Sequence, residues 1–116
     1  MGGITFFGTR SLEATTEFYT DRLGAEVWLE QPDCTILKYD NLLVGFCDRA
    51  EAETGVTITF VVPDRAAVDS LHDELADIAR EPPRENERYE IYQFFAEDPE
   101  GRTVEVQAFL HPTPPI

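Results

Sequence analysis

Two cysteines, two histidines and one crowded run of charge are the side chains whose chemistry could exceed packing. Cys34 and Cys47 stand 13 residues apart, with no CxxC and no matching His or Cys that would build a zinc site. Their type and number favour buried free thiols packing as small hydrophobes, and a cross-strand disulfide or redox pair is the alternative. His72 lies beside Leu71 on an amphipathic stretch and reads as solvated, whereas His111 follows the last apolar stretch and precedes Pro112. Two histidines and one carboxylate suggest a facial triad, but His72 is on the wrong element to join one. The run from Arg84 to Glu90 reads as a solvated edge strand near Pro82-Pro83, or else as a lid over a site.

The elements that must position these groups follow from periodicity. Ile4 to Thr9 is short and β-prone. It leads into Ser11, a candidate N-cap, and Leu12, Thr15, Phe18, Tyr19 and Leu23 at helical spacing, with Gly24 as the stop. Strands are expected over 25–30, 34–39 and 42–47. A two-residue turn at Asp40-Asn41 pairs Tyr39 with Leu42, which puts Ile36 opposite Gly45 and Cys34 opposite Cys47. The same order repeats. Thr57 to Val62 is a strand, Asp64 a cap, and Val68, Leu71, Leu75, Ile78 and Ala79 one face of a helix. Strands over 90–97 and 102–109 flank the turn Asp98-Pro99-Glu100-Gly101. Superposing Ser11 on Asp64 aligns strand, cap and helix at a constant offset of 53 residues. The chain therefore reads as two βαβββ modules, about residues 4–47 and 57–109, in one domain over residues 1–116. The class is α+β, a curved mixed sheet around a cleft with helices on its outer face.

Composition narrows the partners. With 42% hydrophobic and 11% aromatic residues the chain can bury a core. Nine Lys and Arg against 23 Asp and Glu give a net charge of −14, which disfavours nucleic acid and anionic membrane surfaces. The acids are dispersed, and Lys38 is the one lysine. This is the pattern of a salt-adapted surface, with attraction of a cationic ligand as the other reading. No apolar stretch approaches the roughly 20 residues of a membrane span, and the start lacks a secretion signal, so a cytoplasmic location is expected.

Three segments carry a resemblance. Ser11-Leu12-Glu13 with Phe18-Tyr19-Thr20-Asp21-Arg22-Leu23-Gly24, then Phe60-Val61-Val62-Pro63-Asp64, then Asp98-Pro99-Glu100-Gly101-Arg102-Thr103-Val104-Glu105-Val106 resemble the vicinal oxygen chelate superfamily. That superfamily includes glyoxalase I, bleomycin- and fosfomycin-resistance proteins and extradiol dioxygenases. The last segment departs from the family's pattern, with Arg for Asn and Val for Leu. The resemblance implies four inward-facing ligand positions in metal-dependent members, which here fall on Ile4, Gly45, Thr57 and Glu105. Only Glu105 offers a strong donor, so no metal and no other cofactor is expected, with a divalent ion as the alternative.

With Glu105 taken as facing the cleft, strand parity adds Thr103, Gln107 and Phe109 and turns Val104, Val106 and Ala108 to the helix. Pairing Glu97 with Arg102 places Phe94 opposite Glu105 and Tyr92 opposite Gln107. The expected ligand-binding cleft is thus Phe6, Cys34, Ile36, Lys38, Cys47, Thr57, Thr59, Tyr92, Phe94 and Gln107 around Glu105 as the candidate catalytic group. A mostly apolar lining with a few polar groups suits a small organic ligand. Sequestration of such a ligand by a homodimer is the leading expectation. A lyase, isomerase or dioxygenase is the alternative, using Glu105 as base or within a non-standard metal site shared with Cys34, Cys47 or His111.

Overall fold

The computed structural model describes residues 2–116. Its strands and helices run β1 (Thr5–Thr9), α1 (Leu12–Glu17), β2 (Glu26–Glu30), β3 (Cys34–Tyr39), β4 (Leu42–Asp48), β5 (Thr57–Val61), α2 (Arg65–Leu75), β6 (Arg84–Asn86), β7 (Ile91–Glu97) and β8 (Thr103–Phe109). Two four-stranded sheets form, ordered β1-β4-β3-β2 and β5-β8-β7-β6. In each, the first strand lies parallel to the fourth and the rest are antiparallel, so each module is βαβββ and the class is α+β. The described residues divide into two compact units. One holds the residues up to Val56 together with Asp98–Arg102, the other Thr57–Glu97 with Thr103–Ile116.

In the first unit, Ser11 caps α1 by accepting from the Ala14 N–H at 3.4 Å. The helix widens into a π-helical turn over Phe18–Arg22 before Gly24 takes φ +81°. Tyr19 is fully buried and stacks on Phe46 of β4 at 5.0 Å between ring centroids. The hairpin register is as the Asp40-Asn41 turn requires: Asp40 adopts φ +50°, Tyr39 pairs with Leu42, and Ile36 with Gly45. Cys34 stands directly opposite Cys47 with Cα atoms 4.0 Å apart, and the two are joined in a disulfide. The expectation of free thiols is corrected here. This is a closely spaced, non-hydrogen-bonded pair, because the ladder bond falls one residue away, from the Asp48 N–H to the Asp33 carbonyl.

A polar network around a fully buried Arg102 closes this unit. Arg102 donates to Asp98 Oδ2 at 2.8 Å, to the Glu53 carbonyl at 2.8 Å and to the Gly8 carbonyl, and its guanidinium lies 5.0 Å from the Phe46 ring centre. Asp98 also accepts from the Tyr19 hydroxyl at 2.8 Å and from the N–H groups of Glu100 and Arg102. Burial, and then the Asp98 carboxylate, push the Tyr19 hydroxyl far above its usual titration range. Glu100 is the turn's other anchor. It accepts from the Arg10 N–H and guanidinium, the Thr9 hydroxyl and the Ser11 N–H. Desolvation raises its carboxyl, but these donors outweigh that and hold it down at about 2.

In the second unit, Asp64 caps α2 by accepting from the Ala67 N–H at 2.9 Å, and Val68 and Leu75 are fully buried. The helix ends at Leu75, sooner than the apolar spacing suggests. Ile78 and Ala79 lie in a following turn bonded to the Leu75 carbonyl, and Ala79 bridges to Ala96 of β7. Val104, Val106 and Ala108 turn to the helix side and are fully buried, as parity requires. The register of β7 on β8 differs from expectation by one residue: Glu97 pairs with Thr103, Phe95 with Glu105 and Gln93 with Gln107. The cause is the turn. Asp98 pairs with Arg102 through an N–H to carbonyl bond of 3.0 Å, leaving Pro99-Glu100-Gly101 as a three-residue loop with Gly101 at φ +91°.

Candidate functional site

The one-residue shift exchanges the two faces of β7. Tyr92 and Phe94, expected beside Glu105, face α2 instead. The Tyr92 hydroxyl donates to Asp69 at 2.7 Å, and Phe94 packs edge-on against His72 at 5.1 Å between centroids. That contact also removes His72 from the solvated class. The hydrogen bond to Asp69 raises the Tyr92 hydroxyl above its usual range, helped by desolvation. Ile91, Gln93 and Phe95 take the opposite face, together with Glu105, Gln107 and Phe109 of β8.

That face carries a concavity of about 670 Å³. Its walls are apolar where Ile91, Phe95, Phe109 and Tyr89 line it, and polar where Arg84, Asn86, Gln93, Glu105 and Gln107 do. His111 stands at the same concavity, edge-on to Phe109 at 5.6 Å. A hydrogen-bonded chain crosses the whole sheet. Asn86 of β6 donates to Gln93 Oε1 at 3.0 Å, Gln93 of β7 donates to Glu105 Oε2, and Thr59 of β5 donates to Glu105 Oε1 at 2.8 Å. Glu105 is 8% exposed, and its carboxyl plane is fixed from both sides. A carboxylate so held has acceptor sites left for a donor on a ligand, amid rings that would cover the ligand's apolar part.

The remaining expected residues are distributed as follows. Thr57 is exposed and pairs with Thr103, so Thr59 is the β5 residue that reaches Glu105. Phe6, Ile36, Lys38, Cys34 and Cys47 belong to the first unit, on β1, β3 and β4. Phe6 pairs with Gly45, and a Cβ on Gly45 would sit 2.4 Å from the Phe6 ring, so only glycine leaves that ring its place. Phe6 and Cys47 line a separate concavity of about 510 Å³ with Arg49, Glu51 and Glu53, which are exposed. Ile36 is buried and Lys38 exposed. Sequence reasoning left Ile91, Gln93 and Phe95 out of the site and brought Arg84, Asn86 and Tyr89 to it only as the lid alternative for the charged run. The charged run and the correct β7 parity were the signals that could have included them.

Of the four positions aligned with the superfamily's ligands, Ile4 and Gly45 carry no donor and Thr57 a hydroxyl, and Glu105 already accepts from Thr59 and Gln93. The disulfide leaves neither Cys34 nor Cys47 a thiolate to offer. Among the described residues no group of three or more His, Cys, Asp or Glu side chains is arranged to hold a metal ion.

The fold itself has many solved counterparts. A glyoxalase/bleomycin resistance protein/dioxygenase family enzyme from Burkholderia phytofirmans PsJN superposes with a TM-score of 0.79 at 20% identity, over 92% of this chain and 97% of that one. A lactoylglutathione lyase from Agrobacterium tumefaciens gives 0.73 at 23% identity, over 90% of each chain. A glyoxalase/bleomycin resistance protein/dioxygenase from Alicyclobacillus acidocaldarius gives 0.75 at 17% identity, over 94% of this chain and 91% of that one. No protein-family model and no curated protein matches the sequence. The fold is thus that of the glyoxalase/bleomycin resistance/dioxygenase structures, in agreement with the motif resemblance, and likeness at this identity defines the fold alone. Among the described residues no helix is long and apolar enough to cross a membrane.

Proposed function

We propose that the protein binds a small organic ligand in the concavity of the second unit, without a metal ion, with Glu105 as the polar anchor. The observation that carries this reading is the pairing of a nearly buried, doubly hydrogen-bonded carboxylate with aromatic walls in a space of about 670 Å³. A cavity of that size fits the usual range for ligand pockets, roughly 300–1,000 Å³. The test is a fragment screen by protein-observed NMR. Binders should shift the amide signals of Gln93, Phe95 and Gln107 and lose affinity in Glu105→Gln. Binders that shift only residues around Phe6 and Arg49 would refute the reading.

A second reading rests on His111, which lines the same concavity as Glu105 and so brings two proton-transferring groups to one place. It makes the protein a lyase or isomerase with Glu105 as base. Exchange of solvent deuterium into a bound carbon acid, lost in Glu105→Gln, would favour it over simple binding. The protein is also proposed to be a homodimer, because successive apolar residues of edge strand β2, Val27, Trp28 and Leu29, are 42–46% exposed. Light scattering giving the mass of one chain would remove that part.

A further inference from the structure

The binding site just described has an unbalanced charge. Glu105 is 8% exposed, yet among the described residues no Lys, Arg or His forms an ion pair with it. Its partners are two neutral donors, the Thr59 hydroxyl and the Gln93 amide. The Gln93 amide is oriented in turn by Asn86, so the dipoles along this chain point their positive ends at the carboxylate. Neutral hydrogen bonds only partly offset the desolvation of a charge, which is why buried carboxylates are normally matched by a cation. The one arginine lining the concavity, Arg84, has its side chain 70% exposed and is engaged at 3.4 Å with Glu81. Among the described residues, then, Glu105 has hydrogen-bond donors but no cationic partner, and His111, at the same concavity, bonds the Pro112 carbonyl instead.

Phe95, Phe109 and Tyr89 line the same concavity as that carboxylate, and Tyr89 already has the Arg88 guanidinium 5.6 Å from its ring centre. Aromatic rings attract a cation through their quadrupoles and cover flat apolar groups equally well. The chain's net charge of −14 further concentrates cations at its surface. We infer that the concavity selects an organic cation, an amidinium or ammonium group borne on an aromatic ring. The cationic group donates to Glu105, and the ring lies among Phe95, Phe109 and Tyr89. This rests on the ligand-binding reading above and adds the charge and shape of the ligand to it.

The test uses three probes of nearly one shape on the full chain: benzamidinium, neutral benzamide and anionic benzoate, each titrated by NMR. The expected result is a saturable shift of the Gln93 and Gln107 amides by benzamidinium, with at least tenfold tighter binding than benzamide and none by benzoate. Glu105→Gln should remove that tenfold preference. If that variant fails to fold, the wild-type comparison of benzamidinium with benzamide decides alone. Equal binding of benzamide and benzamidinium would overturn the inference and leave ligand binding at this site standing. Benzamidinium shifts that spread over the acidic surface without saturating, or that are absent, would overturn it too. Binding by none of the probes, together with an empty fragment screen, would take the underlying reading as well.

Discussion

Replacing Arg102 by methionine tests the buried network most directly. The side chain has no exposure to solvent, its guanidinium donates to one carboxylate and two carbonyls, and it covers the Phe46 ring. Methionine keeps much of the apolar stem but strands the Asp98 carboxylate and the Gly8 carbonyl away from water and takes the donor from the part-buried Glu53 carbonyl. Removing one partner of a buried, hydrogen-bonded ion pair costs about 3–5 kcal/mol, against a total stability of about 5–15 kcal/mol for a domain of this kind. Urea unfolding at neutral pH should show that loss as a lower midpoint at unchanged slope, with the melting temperature falling by roughly 3–5 °C per kcal/mol. Asp98→Asn, combined with Arg102→Met in a double-mutant cycle, should give a coupling of about 2 kcal/mol or more. The pair Arg65–Glu85 supplies the contrast. Its side chains are 49% and 46% exposed, so Glu85→Ala should change stability by no more than about 0.5 kcal/mol. A loss below about 1 kcal/mol in Arg102→Met, or a coupling near zero, would refute the assignment of this network as the lock of the first unit.

Other outcomes follow from individual residues. Native protein should show no reactive thiols and two after reduction. Opening the covalent loop between Cys34 and Cys47 should cost about 3 kcal/mol, which is read from urea curves with and without reductant. Glu100 is held at about 2 in the folded chain, below its unfolded value near 4.3, so its contribution is complete above pH 4.3 and fades as pH falls toward 2. The stability difference between wild type and Glu100→Gln should therefore shrink across that window, and a difference constant from pH 6 to pH 2.5 would contradict the geometry. Gly45→Ala should displace the Phe6 ring and cost about 1 kcal/mol, an effect that disappears in a Phe6→Ala background.

How far the sequence reached depended on its turns. Ser11 and Asp64 marked both helix starts because a short polar side chain before an apolar repeat has one strong use, and both do cap. Asp40-Asn41 fixed the β3–β4 register because a two-residue loop allows one pairing, and Cys34 fell opposite Cys47 accordingly. The oxidation state of that pair is not encoded in spacing, and the free-thiol expectation failed there. Asp98-Pro99-Glu100-Gly101 was ambiguous, because Gly101 can end a four-residue loop or supply the positive φ of a three-residue one. The second occurs. That single residue moved Tyr92 and Phe94 to the helix and brought Gln93 and Phe95 to Glu105. Glu105, Thr59 and Gln107 kept their expected face because the helix side of β5 and β8 is uniformly apolar, while the other side is polar apart from Val61 and Phe109 at the strand ends. Arg102 carried little signal of its buried role, since two of its three partners are carbonyls distant in sequence and only the Asp98 carboxylate is near.

The first unit is discontinuous along the chain, because it incorporates Asp98–Arg102 from the β7–β8 turn. A gene fragment stopping at Val56 would encode every strand of that unit but not the guanidinium that satisfies Gly8 and Glu53, nor the carboxylate that receives the Tyr19 hydroxyl. Excision of the half-sequence is therefore expected to yield a chain unable to fold autonomously. A circular permutant cut near Gly55, which keeps that turn intact, is the safer engineering route.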